Sequence, residues 1–216
     1  MNWVIQPPGF VRNMFHGSLW RLPEGQKRVC LTFDDGPVPE QTPWVIDTLA
    51  KHGIRATFFC VGDNIRKHPQ LFRQLAESPH VIGNHTFNHV KLLSVTWREY
   101  LRQAQQCSDI ANGSQYFRPP HGQMLPWRMS QLLNTGFRRI VFWDVMPKDY
   151  DRRLTPEAVF DNVRQYVRDG SIIVFHDSVK AGERMRYALV HTIDYLHERG
   201  YTFCTVDEYD KTLTET

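Results

Sequence analysis

Short apolar runs rich in β-branched and aromatic residues alternate along this chain with longer segments whose apolar positions recur at helical spacing. The runs Val29–Asp34, Ala56–Val61, His80–Gly83, Tyr116–Arg118, Arg139–Trp143, Ile172–His176 and Phe203–Val206 read as strands. Between them, Pro43–Lys51, Asn64–Glu77, Thr96–Ala111, Trp127–Asn134, Pro156–Arg168 and Arg184–Glu198 read as helices. Gly53, Gly113, Gly136, Gly170 and Gly200 follow five of these helices, as C-terminal caps do. Thr155-Pro156-Glu157 reads as a helix start, with Thr capping and Pro in the first turn. Strand-helix alternation implies parallel strands joined by right-handed crossovers. The length fits about seven such units, which predicts an α/β fold, a distorted or incomplete (β/α) barrel, ahead of an open doubly wound sheet. Residues 1–27 lack the pattern. They are predicted to be an irregular lead-in that packs through Trp3, Phe10, Phe15 and Trp20 on a single domain formed by residues 28–216.

The polar residues that end these runs carry the chemistry. Asp34-Asp35 closes the first run and is followed by Gly36-Pro37, a stop signal. Neighbouring strand residues face opposite ways, so two adjacent Asp serve one site only where the strand stops. His85 and His89 are four residues apart, which one helical turn would bring to the same side. His176 closes another apolar run. One carboxylate with two imidazoles is a three-donor set that leaves a metal position open for water. The other Asp and His176 remain for a base and an acid, so the residues read as a metal-dependent hydrolase. Asp34, His85, Arg118, Asp149 and His176 fall at or after different strand ends, the face on which β/α barrels build active sites. These residues do not say which of Asp34 and Asp35 would take the metal.

Composition narrows the partners. The formal net charge is +3 with scattered basic residues, which excludes a dedicated nucleic-acid surface. Arg66-Lys67-His68 reads as a solvated helix face. The four cysteines, Cys30, Cys60, Cys107 and Cys204, form no C-x-x-C pair and read as reduced, buried thiols. Met1 to Phe10 is interrupted by Pro7-Pro8-Gly9, so it lacks a secretory pattern, and no run approaches a transmembrane span. A cytoplasmic location is expected on that basis.

Thr32-Phe33-Asp34-Asp35-Gly36-Pro37 resembles the first motif of the polysaccharide deacetylases, the NodB-homology or carbohydrate esterase family 4 domain. His85-Thr86-Phe87-Asn88-His89 is similar to the second motif, Arg118-Pro119-Pro120-His121-Gly122 to the third, Trp143 to Tyr150 to a fourth, and Val174-Phe175-His176 to the last. The resemblance spans residues 28 to 206. It implies that Asp35, His85 and His89 hold a divalent metal, usually Zn2+, that Asp34 is the base, and that His176 is the acid. Arg118 would orient Asp34, and Asp149 would orient His176. A backbone N–H after Pro120 would face the oxyanion. Pro120, His121, Tyr150 and Val174 would border the substrate. His121 stands where the family has an aromatic, Tyr150 where it has Trp, and Val174 where Leu is common.

The resemblance implies a carbohydrate substrate, with N-acetyl groups removed from an amino sugar in an oligo- or polysaccharide. The same machinery would serve an O-acetyl esterase, or a deformylase acting on a lipid- or nucleotide-linked amino sugar. A sugar-binding module without catalysis is the reading from another class. It is disfavoured because base, metal donors and acid are all present.

Overall fold

The computed structural model describes residues 3–208. Its strands are β1 (Arg28–Asp34), β2 (Thr57–Cys60), β3 (Val81–Asn84), β4 (Tyr116–Phe117), β5 (Arg139–Ile140), β6 (Ile172–His176) and β7 (Thr202–Phe203). Its α-helices are α1 (Gly9–Asn13), α2 (Thr42–Lys51), α3 (Gly62–Lys67), α4 (Pro69–Glu77), α5 (Trp97–Ile110), α6 (Met129–Leu133), α7 (Pro156–Tyr166) and α8 (Gly182–Glu198). All strand pairings are parallel. Strands β1 and β6 are buried nearly throughout and mostly apolar because both faces are covered, as parallel strands require. Val45 and Leu49 of α2 and Leu189 and Ile193 of α8 cover one face, packing with Phe33, Phe58 and Phe175. Phe117, Ile140, Phe142, Val174 and Trp20 fill the inside of the curve.

The strand order β5-β4-β3-β2-β1-β6, with β7 on β1, is the order of a barrel cut open between β5 and β6. That is the distorted barrel the alternation predicts. Two irregular segments span the cut. Leu19 pairs with Val141 and Arg21 with Ser171, while Val145 pairs with Ile173. Asp144, fully buried at this seam, accepts from Ser171 Oγ at 2.7 Å and pairs with Arg168 at 2.8 Å and Arg12 at 2.6 Å. Arg12 belongs to α1, so the lead-in is tied to the seam by a buried charge as well as by strand-like pairing. Among the described residues, no helix is long and apolar enough to cross a membrane.

Several elements differ from expectation. The helix expected over 64–77 breaks at His68 into α3 and α4, since Pro69 disfavours helical geometry in the residue before it. The strand expected over 139–143 ends at Ile140, where the chain turns to pair with the lead-in. The lead-in is partly helical, through α1. The cap at Thr155 is present: its hydroxyl accepts from Ala158 N at 3.2 Å. All four cysteines are free and buried.

Candidate active site

The end of β1 brings two successive carboxylates to one side. Asp35 has a φ of 81°, outside strand geometry, so the alternation that would separate it from Asp34 is broken there. The turn that follows is gripped by Asp177. Its carboxylate accepts from Gly36 N at 3.1 Å and from the Thr42 hydroxyl. A Cβ on Gly36 would lie 2.1 Å from that carboxylate, so only glycine fits. Burial pushes the Asp177 pKa up to about 8 even though the Thr42 hydrogen bond works the other way. Gly36→Ala is therefore expected to cost about 1–3 kcal/mol of stability and to displace Asp35. Denaturant titration and metal content check this; an unchanged metal content would show that the turn does not set the donor position.

His85 follows β3 directly. Its Nδ1 donates to Arg118 O at 2.8 Å, which leaves the Nε2 lone pair turned to the site. Burial lowers its pKa to about 4, against the pull of Asp34, so the ring is neutral and able to ligate. His89 arrives by a route other than the expected helical turn. Residues 85–89 form no helix; Thr86 (φ 61°) and His89 (φ 52°) are left-handed and curl the loop back on itself. Asn84 Oδ1 accepts from Thr86 N at 2.9 Å, and Gln103 Oε1 from Asn88 N at 2.9 Å, which fixes the curl.

These side chains converge. Asp35 Oδ1 lies 3.2 Å from His89 Nε2 and 3.9 Å from His85 Nε2. One donor atom from each of the three residues falls within 4.8 Å of the others. Donors placed tetrahedrally at zinc distances are about 3.4 Å apart, so the spacing suits such an ion. Among the described residues, Asp35 Oδ1 is also buried with no hydrogen-bond partner, an atom left for a cation. Burial alone would raise the Asp35 pKa, but His176, His89, His85 and His121 together bring it below its ordinary value.

Asp34 is 4% exposed and accepts from Arg118 Nη1 at 2.7 Å. Three further Arg118 donors go to Thr32 Oγ1 (2.8 Å), Phe142 O (2.9 Å) and Val141 O (3.3 Å), and its guanidinium lies 4.1 Å above the Phe59 ring. A buried arginine held by four hydrogen bonds fixes the Asp34 carboxylate in one orientation. The other Asp34 oxygen is 3.8 Å from His85 Nε2.

His176 ends β6 in direct register with Asp34. Asp149 holds it twice: Oδ1 to the ring Nδ1 at 2.7 Å, and Oδ2 to the backbone N at 2.7 Å. Burial works to lower the His176 pKa, but the charge and hydrogen bond of Asp149, with Asp35 and Asp34 beyond, raise it to about 10. The ring is therefore an imidazolium at neutral pH. The Tyr150 ring meets its edge at 5.0 Å. On the remaining side, residues 120–122 make a tight turn with His121 at φ 58°, and the His121 ring is 4.5 Å from that of His89. Burial holds the His121 pKa down at about 4.

All of this borders one cleft of about 630 Å³. Asp34, Asp35, His85, His89, Arg118, His121, Tyr150 and His176 line it. Asp149 stands behind His176. Pro120 and Val174 are buried and are not among the lining residues; Pro119 and Gly122 line the cleft instead. Asp177 and the lead-in wall had no signal in the motifs, whereas Thr32 and Trp143 lie within the first and the fourth. Only the position of Asp177, beside His176, pointed to it.

A sequence profile described as polysaccharide deacetylase matches residues 21–140. The chain belongs to the polysaccharide deacetylase family. It is 30% identical over 215 residues to a peptidoglycan-N-acetylglucosamine deacetylase of Bacillus cereus, covering 94% of each chain. It is 34% identical over 193 residues to a chitooligosaccharide deacetylase of Sinorhizobium fredii, covering 82% of this chain and 89% of that one. It superposes with a TM-score of 0.86 on a peptidoglycan N-acetylglucosamine deacetylase solved with 4-naphthalen-1-yl-N-oxidanyl-benzamide, at 31% identity and 93% and 95% coverage. This polysaccharide deacetylase is accordingly a hydrolase of carbon–nitrogen bonds other than peptide bonds.

Proposed function

We propose that the protein removes the N-acetyl group from N-acetylglucosamine units, with Asp35, His85 and His89 holding a divalent metal, zinc above others. The observation that carries this is the register of Asp34 with His176 on adjacent strand ends, a carboxylate and an imidazole beside a three-donor cluster. When bound, the cation polarises the amide carbonyl and an attacking water. Asp34, held by Arg118, takes the water proton as oxygen adds to the carbonyl carbon. The turn's own hydrogen bonds run from Gly122 to Pro119 and from Gln123 to Pro120, leaving the His121 N–H for the developing oxyanion. His176 gives its proton to the nitrogen as the carbon–nitrogen bond breaks, so acetate and a free amine leave.

The placement of His176 at the site as a proton donor, held by Asp149 at 2.7 Å, favours this reading over an O-acetyl esterase. An amine is a poor anionic leaving group and needs that proton, whereas an alcohol or phenol needs it less. The test is acetate release from short N-acetylglucosamine oligomers. Release should stop on chelation and return with zinc; release that is indifferent to chelator would remove the metal from the reading.

Metal content supplies a separate prediction. Asp35→Asn and His89→Ala are expected to lower divalent-ion affinity at least about tenfold to a hundredfold, by comparison with the smaller changes that produce such losses around known sites. Equilibrium dialysis of the folded variants measures this. Unchanged affinity in both would show that the cluster is not the donor set.

A further inference from the structure

The cleft is chemically lopsided. Its catalytic end holds every carboxylate and imidazole that lines it. The rest of the wall (the arm) is mostly apolar, with Val4, Pro8, Val11, Phe15, Trp20 and Trp143 in it; Lys180 is the lining cation besides Arg118. Among the described residues, no serine, threonine, asparagine or glutamine lines the cleft. The Trp143 indole N–H is taken by Val4 O at 3.0 Å, and the buried Trp20 N–H has no partner. A sugar ring seated in this arm would lose water from its hydroxyls and find few groups to replace it, which is costly. An alkyl chain loses nothing there and gains from leaving water.

The arm starts at the reaction centre. Gly122 adjoins the His121 peptide, and the Trp143 ring packs so closely on it that a Cβ would lie 2.4 Å away. The apolar surface also continues outward on the lead-in. Trp3, Val4, Phe10 and Met14 are 57%, 47%, 58% and 54% exposed, and the Trp3 and Phe10 rings meet edge to face at 5.3 Å. Such a concentration of exposed apolar side chains marks an interaction site.

We propose that the arm binds an aliphatic chain, and that the preferred substrate is an amphiphile: an amino sugar bearing a long alkyl group. This rests on the amide-hydrolase reading above and names its substrate class. The chain reaches the sugar either through the glycosidic oxygen or as the N-acyl group itself, and in the second case the released acid is a fatty acid.

The experiment uses the full chain loaded with zinc and two substrate series. One compares methyl and octyl β-glycosides of N-acetylglucosamine. The other compares N-acetyl and N-octanoyl forms of the methyl glycoside. Each methylene moved from water into apolar surroundings is worth about fourfold in binding. One series should therefore show at least about a hundredfold gain in kcat/KM for the longer chain, and which one shows it identifies the bond that carries the chain. A difference below threefold in both would overturn the proposal.

Octyl β-glucoside, which has no amide, supplies a readout without turnover. It should change tryptophan fluorescence saturably below its micelle concentration; no saturable change would count against the arm. Val11→Asp should cut the long-chain preference at least tenfold, with thermal melting as the check on folding and Val11→Ser as the milder substitute. An unaltered preference in a folded variant would overturn the assignment. Hydrolysis of short oligomers with neither chain effect nor titration would leave the deacetylase reading standing without the arm. Titration with no hydrolysis of any amide would leave the arm without the deacetylase.

Discussion

Asp34→Asn is expected to bind its divalent ion normally while hydrolysing amides about a thousandfold more slowly. The amide side chain keeps the size and one acceptor of the carboxylate but cannot take a proton. Its metal content should hold because the orphaned, buried oxygen belongs to Asp35, while Asp34 is engaged by Arg118 at 2.7 Å. A second effect accompanies the first. Arg118 is 1% exposed and Asp34 is its carboxylate partner, so the substitution leaves a buried cation without an opposite charge. Removing one member of such a pair typically costs about 3–5 kcal/mol. The variant should thus melt earlier, and its turnover must be read well below its midpoint. Metal content and single-turnover acetate release, measured on the same preparation, decide the matter. If Asp34→Asn sheds metal and Asp35→Asn retains it, the two carboxylates have exchanged roles.

His176→Ala should lower turnover of N-acetyl substrates about a hundredfold to ten-thousandfold, and turnover of aryl acetates less than tenfold. A nitrophenolate leaves without a proton; an amine does not. Equal losses on both would assign His176 to binding or support. The pH profile carries the same information. The His176 pKa is raised from 6.5 to about 10, so the proton-donating form is present at neutral pH and is lost as pH rises. Part of that rise comes from Asp35 and Asp34, and a divalent cation at Asp35 offsets the Asp35 share. The alkaline limb of kcat in the metal-loaded enzyme therefore falls below about 10. The sign for stability follows from the same pair. A folded-state pKa above the unfolded one means that the His176–Asp149 interaction contributes fully below 6.5 and is lost as pH climbs through about 10. Melting of the wild type and of His176→Ala across that window should converge at its upper end.

The parts of this molecule legible in its sequence are those set by local pattern. Strands β1 and β6 stand out because burial on both faces favours apolar residues at successive positions. The residues that end them, Asp34, Asp35 and His176, were legible for the same reason. The four-residue spacing of His85 and His89 gave the right neighbours through the wrong geometry, since a loop with two left-handed residues closes a similar distance. Asp177 was not legible because its partners, Gly36 and Thr42, are 141 and 135 residues away and bear no mark of the contact. The lead-in was the least legible element. Its pairings are single bridges, its helix is five residues long, and a wall built from prolines and isolated apolar residues has no period to detect.

The open seam of the sheet has a consequence for the order of assembly. The lead-in contributes Leu19 and Arg21, whose bridge partners Val141 and Ser171 are made much later. Arg12 likewise waits for Asp144. Closing loops of that length carries a large entropic cost and cannot happen until most of the chain has been made. Strands β1 to β4 can nucleate from neighbours in sequence, but the lead-in docks last. During synthesis, the apolar residues of that segment stay undocked longest, and holdase chaperones would meet them there.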